Sequence, residues 1–355
     1  MTVGINNDEN HPFGMYRKAS KYLKGRLEEC NIPFPLVGII CGSGLSGLSS
    51  ALTSTDSKSL TVSYSEIPGF PNVTVVGHSG EVVFGMLEGV PTICFRGRFH
   101  SYEGHDMNTV VLPVRVMRML GVKVLLVTNA AGGLNTTYEI GDIVCINDHF
   151  ALPMLVGKNP LMGHNDDALG PRFPPTSNMY DTTLQQLYET AVSSLEFTTF
   201  CQSNGTYCFV SGPMYESKAE CRFLRSIGGD TVGMSTVPEL LAAHHCGIKV
   251  LCLSLVTNKV VTETVETEAQ HASHGEVIDS VNKRSKQIQT LVKEIISQLH
   301  QSNYLNTIQL PPIDDTTTTT KKFSACPYHI IQQTSTKMIM VATILSIGAF
   351  LIQKK

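Results

Sequence analysis

The chain has 355 residues, of which 42% are hydrophobic and 16% charged, with a formal net charge of −3. That length allows one large α/β domain with a sizeable core, and the slightly negative balance gives no basic field to attract nucleic acid. Ten cysteines are present, but Cys41, Cys94, Cys145, Cys208 and Cys252 sit inside apolar runs, where a free cysteine packs as a small hydrophobe. No C-x-x-C pair offers the usual zinc spacing. A reduced, cytosol-facing protein is expected, and the first residues, MTVGINNDENHPF, lack the basic and apolar regions of a secretory signal.

In chain order, Met15 to Cys30 reads as a polar, amphipathic helix leading to the first strand. Near-continuous apolar runs follow at 37–41 (VGIIC), 90–95, 122–129, 142–148, 206–210 and 248–258. Runs without clean alternation suit strands covered on both faces. Helices are expected at His105 to Leu120, with a kink at Pro113, at Lys218 to Ile227, and at His274 to about Gln301. The last places Val277, Ile278, Val281, Ile288, Leu291, Val292, Ile295, Ile296 and Leu299 on one face. No repeat is visible. The expectation is a single α/β domain over residues 1–302, a central mixed, largely parallel β-sheet flanked by helices.

Residues 303–337, with Pro311-Pro312 and the run Thr316 to Thr320, read as a low-complexity linker. Met338 to Ile352 follows without a charge, between Lys337 and Lys354-Lys355. As a helix it would span roughly 22 Å, short of a ~30 Å hydrocarbon core, although flanking lysines extend such a segment by snorkelling. A C-terminal membrane anchor, with the catalytic part facing the cytosol, is one expectation, and an uninserted apolar tail the other.

Most strands run directly into small, polar or charged residues: GSGLSG, RGRFHSYEGH, NAAGG, DHF, SGPMYE, GMSTVPE and TNK. Ligands of α/β sheets collect outside the carboxyl ends of strands, so one pocket built from these seven segments is expected. Residues 42–47, GSGLSG, match the dinucleotide fingerprint, but Leu48 to Asp56 is a weak helix and Ile67-Pro68-Gly69-Phe70-Pro71 soon interrupts the chain. A glycine-rich turn also exposes N–H groups to a simpler oxyanion. With Ser43 in the turn, Arg98 and His100 in GRFH and Ser235 in GMST, inorganic phosphate is the expected ligand.

The ordered set GSGL, GHSG, GRFHSYEG, TNAAGGLN, GPMYES, VGMSTVPE, HHCGIKV, SLVTNK and HGEV resembles the low-molecular-mass, homotrimeric purine nucleoside phosphorylases over residues 20 to about 300. The resemblance implies a nucleoside phosphorylase-like fold and phosphorolysis of purine nucleosides, inosine and guanosine first. Inorganic phosphate would be the co-substrate, with no metal or organic cofactor. It implies a phosphate site from Ser43, His78, Arg98, His100, the backbone of Ala130, and Ser235. Tyr102, Met234 and His274 would hold the ribose, and Tyr215, Glu216 and Asn258 the base, with Asn258, Glu216 and His100 closest to the chemistry. A homotrimer is implied, in which the loop after DH covers a neighbouring subunit's ribose. Leu155 stands where that loop usually carries an aromatic, Met154 where glycine is common, and Arg96 adds a charge before GRFH.

Each residue also has a plainer explanation: Glu216 as first-turn acid of the following helix, Asn258 as a turn cap, the tyrosines and Met234 as packing. His244-His245-Cys246 reads as a helix end, because adjacent side chains diverge. Methylthioadenosine phosphorylase on the same fold is disfavoured by Asn258 and His274. A non-catalytic nucleoside-binding protein is the remaining alternative.

Overall fold

The computed structural model describes residues 12–42, 47, 49, 52, 58–75, 77–262 and 274–313. Side chains at 12–13 and 274–278 also lie outside the description. Two units divide the chain, Met1–Ile313 and Asp314–Lys355. The whole second unit, and with it Met338 to Ile352, lies outside the described residues. Among the described residues no helix is long and apolar enough to cross a membrane.

Strand β1 (Val37–Cys41) is buried along its whole length. It lies parallel between β4 (Val90–Arg96) and β5 (Val124–Gly133). Strands β2 (Leu60–Ser63) and β3 (Glu81–Leu87) extend the sheet beyond β4 in antiparallel fashion. On the other side the order continues through β8 (Thr231–Gly233), β7 (Cys201–Phe209), β6 (Ile143–Ala151) and β9 (Lys249–Lys259), and β9 pairs back onto β5. One end of the sheet therefore closes into a five-stranded ring, which removes two exposed edges. The sheet is mixed as expected, with five parallel and four antiparallel pairings. Its closure was not anticipated, because apolar runs carry no information about which strands meet.

Helix α1 (Pro12–Glu29) packs against the sheet face that also carries α2 (Met107–Val110), α3 (Leu112–Leu120) and α7 (Val237–His245). The helix expected over 105–120 is broken rather than kinked. Asp106 caps α2 through the Thr109 N–H at 2.7 Å, and Val111 then leaves helical geometry. Pro113, lacking an N–H, falls in the first turn of α3, where none is needed. The opposite face carries α5 (Thr182–Ser194) and α8 (His274–Gln301), with Val281, Ile288, Leu291, Val292, Ile295, Ile296 and Leu299 all buried. Val277 and Ile278 fall outside the described side chains. The short helices α4 (Leu152–Leu155) and α9 (Tyr304–Thr307), and the 9-residue α6 (Lys218–Ser226), complete the set among the described residues.

The folded unit runs past residue 302, because Leu305 and Ile308 are buried against the α5/α8 face. Lys123 Nζ donates to the Leu305 carbonyl at 2.9 Å, and Arg118 donates to the Pro311 carbonyl. This last stretch is thus pinned at the amino end of β5.

Candidate active site

At the carboxyl end of β4, Gly97 turns the chain at φ +117° and delivers Arg98 and His100 under the sheet. Arg98 is 2% exposed. Its Nη1 donates to Ser235 Oγ and Thr236 Oγ1, each at 2.9 Å, and its Nη2 donates to the Thr128 carbonyl. A guanidinium has five N–H donors. Three are claimed, while Nε is buried without a partner and one proton on Nη2 is left over. Glu239, 1% exposed in the first turn of α7, faces Nη1 at 3.4 Å and balances its charge. Burial pushes the Glu239 carboxyl up, and Arg98 only partly offsets this.

His100 Nδ1 lies 2.9 Å from Glu103 Oε1, and its backbone N–H donates to the same oxygen at 2.9 Å. Burial lowers the His100 pKa despite that carboxylate, so the ring is neutral and gives its Nδ1 proton to Glu103. Burial pushes Glu103 up, but bonds from His100 and Thr74 outweigh it and hold the carboxyl at about 2. The tautomer leaves His100 Nε2 to the cleft. Three rings stack in a row: His78 on His100 at 5.5 Å and 19°, and His100 on Tyr102 at 4.5 Å and 18°. His78 does not line the cleft. It lies behind His100, accepts the Arg98 backbone N–H at 3.3 Å, and is lowered to about 3, chiefly by burial and then by its neighbours His100 and Arg98.

The cleft is open to solvent on one side and, with its open mouth counted, holds about 730 Å3 of space. Arg98, His100, Ala130 and Ser235 line it together with Tyr102, Met234, Tyr215, Glu216 and Asn258. Nine of the residues assigned from the sequence to this pocket are therefore in one place. Ser43 lies outside the described residues, and so does the side chain of His274, while His78 is in the second row. Leu155, assigned to a neighbouring subunit's site, is 70% exposed at the end of α4, outside this cleft. The DHF segment, expected at the same pocket, is elsewhere. His149 and Phe150 line a separate groove with Met154 and Leu155. Strand β6 lies beside β9 with Ile143 paired to Leu255 and Ile146 to Cys252, and so moves away from Asn258 as it proceeds.

The plainer explanation of Glu216 fails on geometry. Ser217 is the N-cap of α6 and Glu220 is the acid that completes its capping box, so Glu216 precedes the helix and faces the cleft. Burial raises its pKa, with Glu220 adding to the rise and its own backbone opposing it. Asn258 is in β9, paired with Gly132, and caps no turn. The Thr257 hydroxyl has Asn258 Oδ1 at 3.2 Å and the Ala131 carbonyl at 3.3 Å as acceptors for its one proton. Tyr215 is 44% exposed and flanks the mouth.

Sequence reasoning missed the buried layer under this cleft: Glu103, Thr128, Asn129, Thr236 and Glu239. Glu239 had one signal, an acid inside an otherwise apolar helix start (TVPELLAA), and Glu103 lay three residues after His100. Arg96, the unexpected charge, is neutralised by Glu81 at 2.8 Å and bonds Ser49, away from the cleft. His244 and His245 diverge as expected, Nε2 of one toward the Pro175 carbonyl at 2.7 Å and of the other toward Asn165 at 3.2 Å. Among the described residues no group of three or more His, Cys, Asp or Glu could hold a metal ion.

Residues 36–297 match the family model of the phosphorylase superfamily. Purine nucleoside phosphorylase of Bos taurus is 43% identical over 289 residues, 81% of this chain and 96% of its own. The crystal structure of Schistosoma mansoni purine nucleoside phosphorylase with adenosine superposes with a TM-score of 0.74 at 41% identity, covering 80% of this chain and 96% of that one. The same enzyme with inosine gives 0.73 and 41%, covering 80% and 95%. A cleft furnished with oxyanion donors at one end and a carboxylate–amide pair at the other, on this fold and with these relatives, leaves one assignment: the chain belongs to the phosphorylase superfamily, among the purine nucleoside phosphorylases.

Proposed function

We propose that this cleft cleaves purine nucleosides with inorganic phosphate, 6-oxopurines such as inosine and guanosine first, yielding free base and ribose 1-phosphate. The observation that carries it is the polarity of the cleft. Unclaimed Arg98 donors, Ser235 and His100 Nε2 sit at one end, and the Glu216 carboxylate and Asn258 amide at the other. A phosphate oxygen attacks C1′ of the ribose as the bond to N9 breaks, its electron pair leaving with the base, which then takes up a proton. Positive charge on the sugar is met by the phosphate below it. Negative charge on the purine is met by the Asn258 donor at N7, while Glu216 accepts hydrogen bonds from the base edge. Tyr102 and Met234 hold the ribose, with His274 at its 5′-hydroxyl and Tyr215 packed on the base. Ser43 and the Ala130 backbone complete the phosphate site, with His78 stacked behind His100. Phosphate is the co-substrate and no cofactor takes part.

We further assign the chain to a homotrimer. Leu152, Leu155, Val156, Met162, Phe173, Met214 and Phe223 are large apolar residues left exposed around the DHF groove and the cleft mouth. Such an accumulation marks a protein-covered surface, and Leu155 would close the neighbouring subunit's ribose site. Residues 338–352 are proposed to tether this unit to a membrane from the cytosolic side. Hypoxanthine release from inosine by the full chain, with and without phosphate, tests the reaction. Cleavage that requires phosphate and disappears in Asn258→Ala supports it, and phosphate-independent or absent cleavage refutes it.

A further inference from the structure

The hydroxyl of Thr236 is the centre of the buried layer beneath the phosphate end of the cleft. It accepts from Arg98 Nη1 at 2.9 Å and from Asn129 Nδ2 at 3.1 Å, and lies 3.1 Å from Ser235 Oγ. A threonine hydroxyl has two lone pairs and one proton. With both lone pairs taken by N–H donors, its proton goes to Ser235. Ser235 Oγ then accepts twice, from Thr236 and from Arg98 Nη1 at 2.9 Å, and among the described residues no further hydrogen bond claims its own proton. The Tyr207 hydroxyl, buried nearby, has no partner in ordinary hydrogen-bond geometry, although the Ser235 hydroxyl and backbone are near enough to oppose the rise that burial gives its pKa. The chain of donors therefore has one direction, and it ends on a Ser235 O–H directed to the cleft.

Two independent features set Thr236 apart. It is the N-cap of α7, where a threonine hydroxyl ordinarily accepts an N–H of the first turn, yet it makes no capping bond. Its backbone is at φ +77°, ψ −60°, a conformation that a β-branched residue adopts only under strain. Glycine would relieve that strain but would remove the hub.

We propose that Thr236 is a positioning residue that fixes the direction of the Ser235 proton and the roll of the Arg98 fork, so that both meet an incoming phosphate without reorganising. The proposal rests on the phosphate reading of the cleft. In Thr236→Val the shape and branching stay, but Arg98 Nη1 and Asn129 Nδ2 lose their acceptor. Ser235 is then free to turn its proton inward.

The test is steady-state kinetics of the full chain with inosine, varying each substrate, together with the phosphate-induced rise in Tm measured without nucleoside. Thr236→Val is expected to raise the phosphate KM roughly tenfold or more, the equivalent of one charge-assisted hydrogen bond. The inosine KM should be unchanged, and most of the phosphate-induced Tm rise should be lost. Thr236→Ser, which keeps the hydroxyl, should restore phosphate binding. If the valine variant does not fold, Thr236→Ala carries the same expectation. A wild-type phosphate KM in the hydroxyl-less variant overturns the proposal. So does a parallel rise in both KM values with the serine variant equally impaired, since that is loss of fold rather than of direction. If the wild-type chain neither binds nor requires phosphate, the reading of the reaction fails first, and the proposal with it.

Discussion

Replacing Arg98 by lysine separates the charge of this residue from its geometry. The substitution keeps one positive charge beside Glu239, so no buried carboxylate is stranded, but a lysine amine cannot reproduce a planar fork. Of the five guanidinium donors, three are spent on Ser235, Thr236 and the Thr128 carbonyl, leaving the Nε proton and one on Nη2 for a ligand. Two charge-assisted hydrogen bonds at about 1.5 kcal/mol each, the low end of their range, amount to about 3 kcal/mol, or roughly a hundredfold in affinity. Initial rates against phosphate at saturating inosine should show a phosphate KM raised by roughly that factor. The inosine KM should change little, because Glu216 and Asn258 are at the other end of the cleft. Urea unfolding should confirm that the variant is folded. A folded Arg98→Lys protein whose phosphate KM rises by less than about threefold would show that these two donors do not meet the anion.

Asn258→Asp exchanges a donor for an acceptor at the base, so kcat/KM for inosine should fall by roughly a hundredfold or more while that for adenosine rises, read by parallel assays. The raised pKa of Glu216 predicts an acid limb above the ordinary carboxylate range: the carboxylate form that accepts from the base is complete at high pH and lost as pH falls through the raised value. Glu216→Gln should abolish that limb, and a pH profile identical in both proteins would refute the role. His78, lowered to about 3, stays neutral over the assay range and adds no limb. Its unfolded form binds a proton near 6.5, so the folded state loses stability as pH falls from there toward 3, measurable by urea unfolding in wild type against His78→Gln. Gly233→Ala would place a Cβ 2.3 Å from the hydroxyl of fully buried Tyr207, and should cost about 1–3 kcal/mol of stability by the same measurement.

Much of this site was legible because its residues lie at the ends of apolar runs. Arg98 and Ser235 come just after β4 and β8, and Asn258 is near the end of β9, so strand location brings them near one another. Glu216 was legible as a residue but ambiguous in role, and only the Ser217–Glu220 box decided between helix acid and cleft wall. The Thr236 network could not be read, since its content is the direction of hydrogen bonds among residues separated by 100 positions or more, such as Asn129 and Thr236. Strand β3 was missed although EVVFGML is apolar, because it follows a glycine-rich loop and carries its own glycine. Gly85 is there because the Leu52 carbonyl approaches to 2.3 Å of where a Cβ would stand, a tertiary fact with no local signature. DHF was misplaced because an apolar run does not show which strand it will pair with, and β6 pairs with β9 so that it proceeds away from Asn258.

The clamp on residues 305–311 bears on how the enzyme could be handled. Lys123 and Arg118 fasten this stretch at the start of β5, whereas Ala130 to Gly132, seven or so residues further along the same strand, form the cleft wall. At ~3.3 Å per residue the two ends are separated by roughly 20–25 Å of strand. Residues 305–311 therefore lie on the side of the sheet away from the cleft. A bead or a fluorophore coupled to this stretch would leave the path of nucleosides into the cleft unobstructed, whereas the same cargo at Met214 would stand in the doorway.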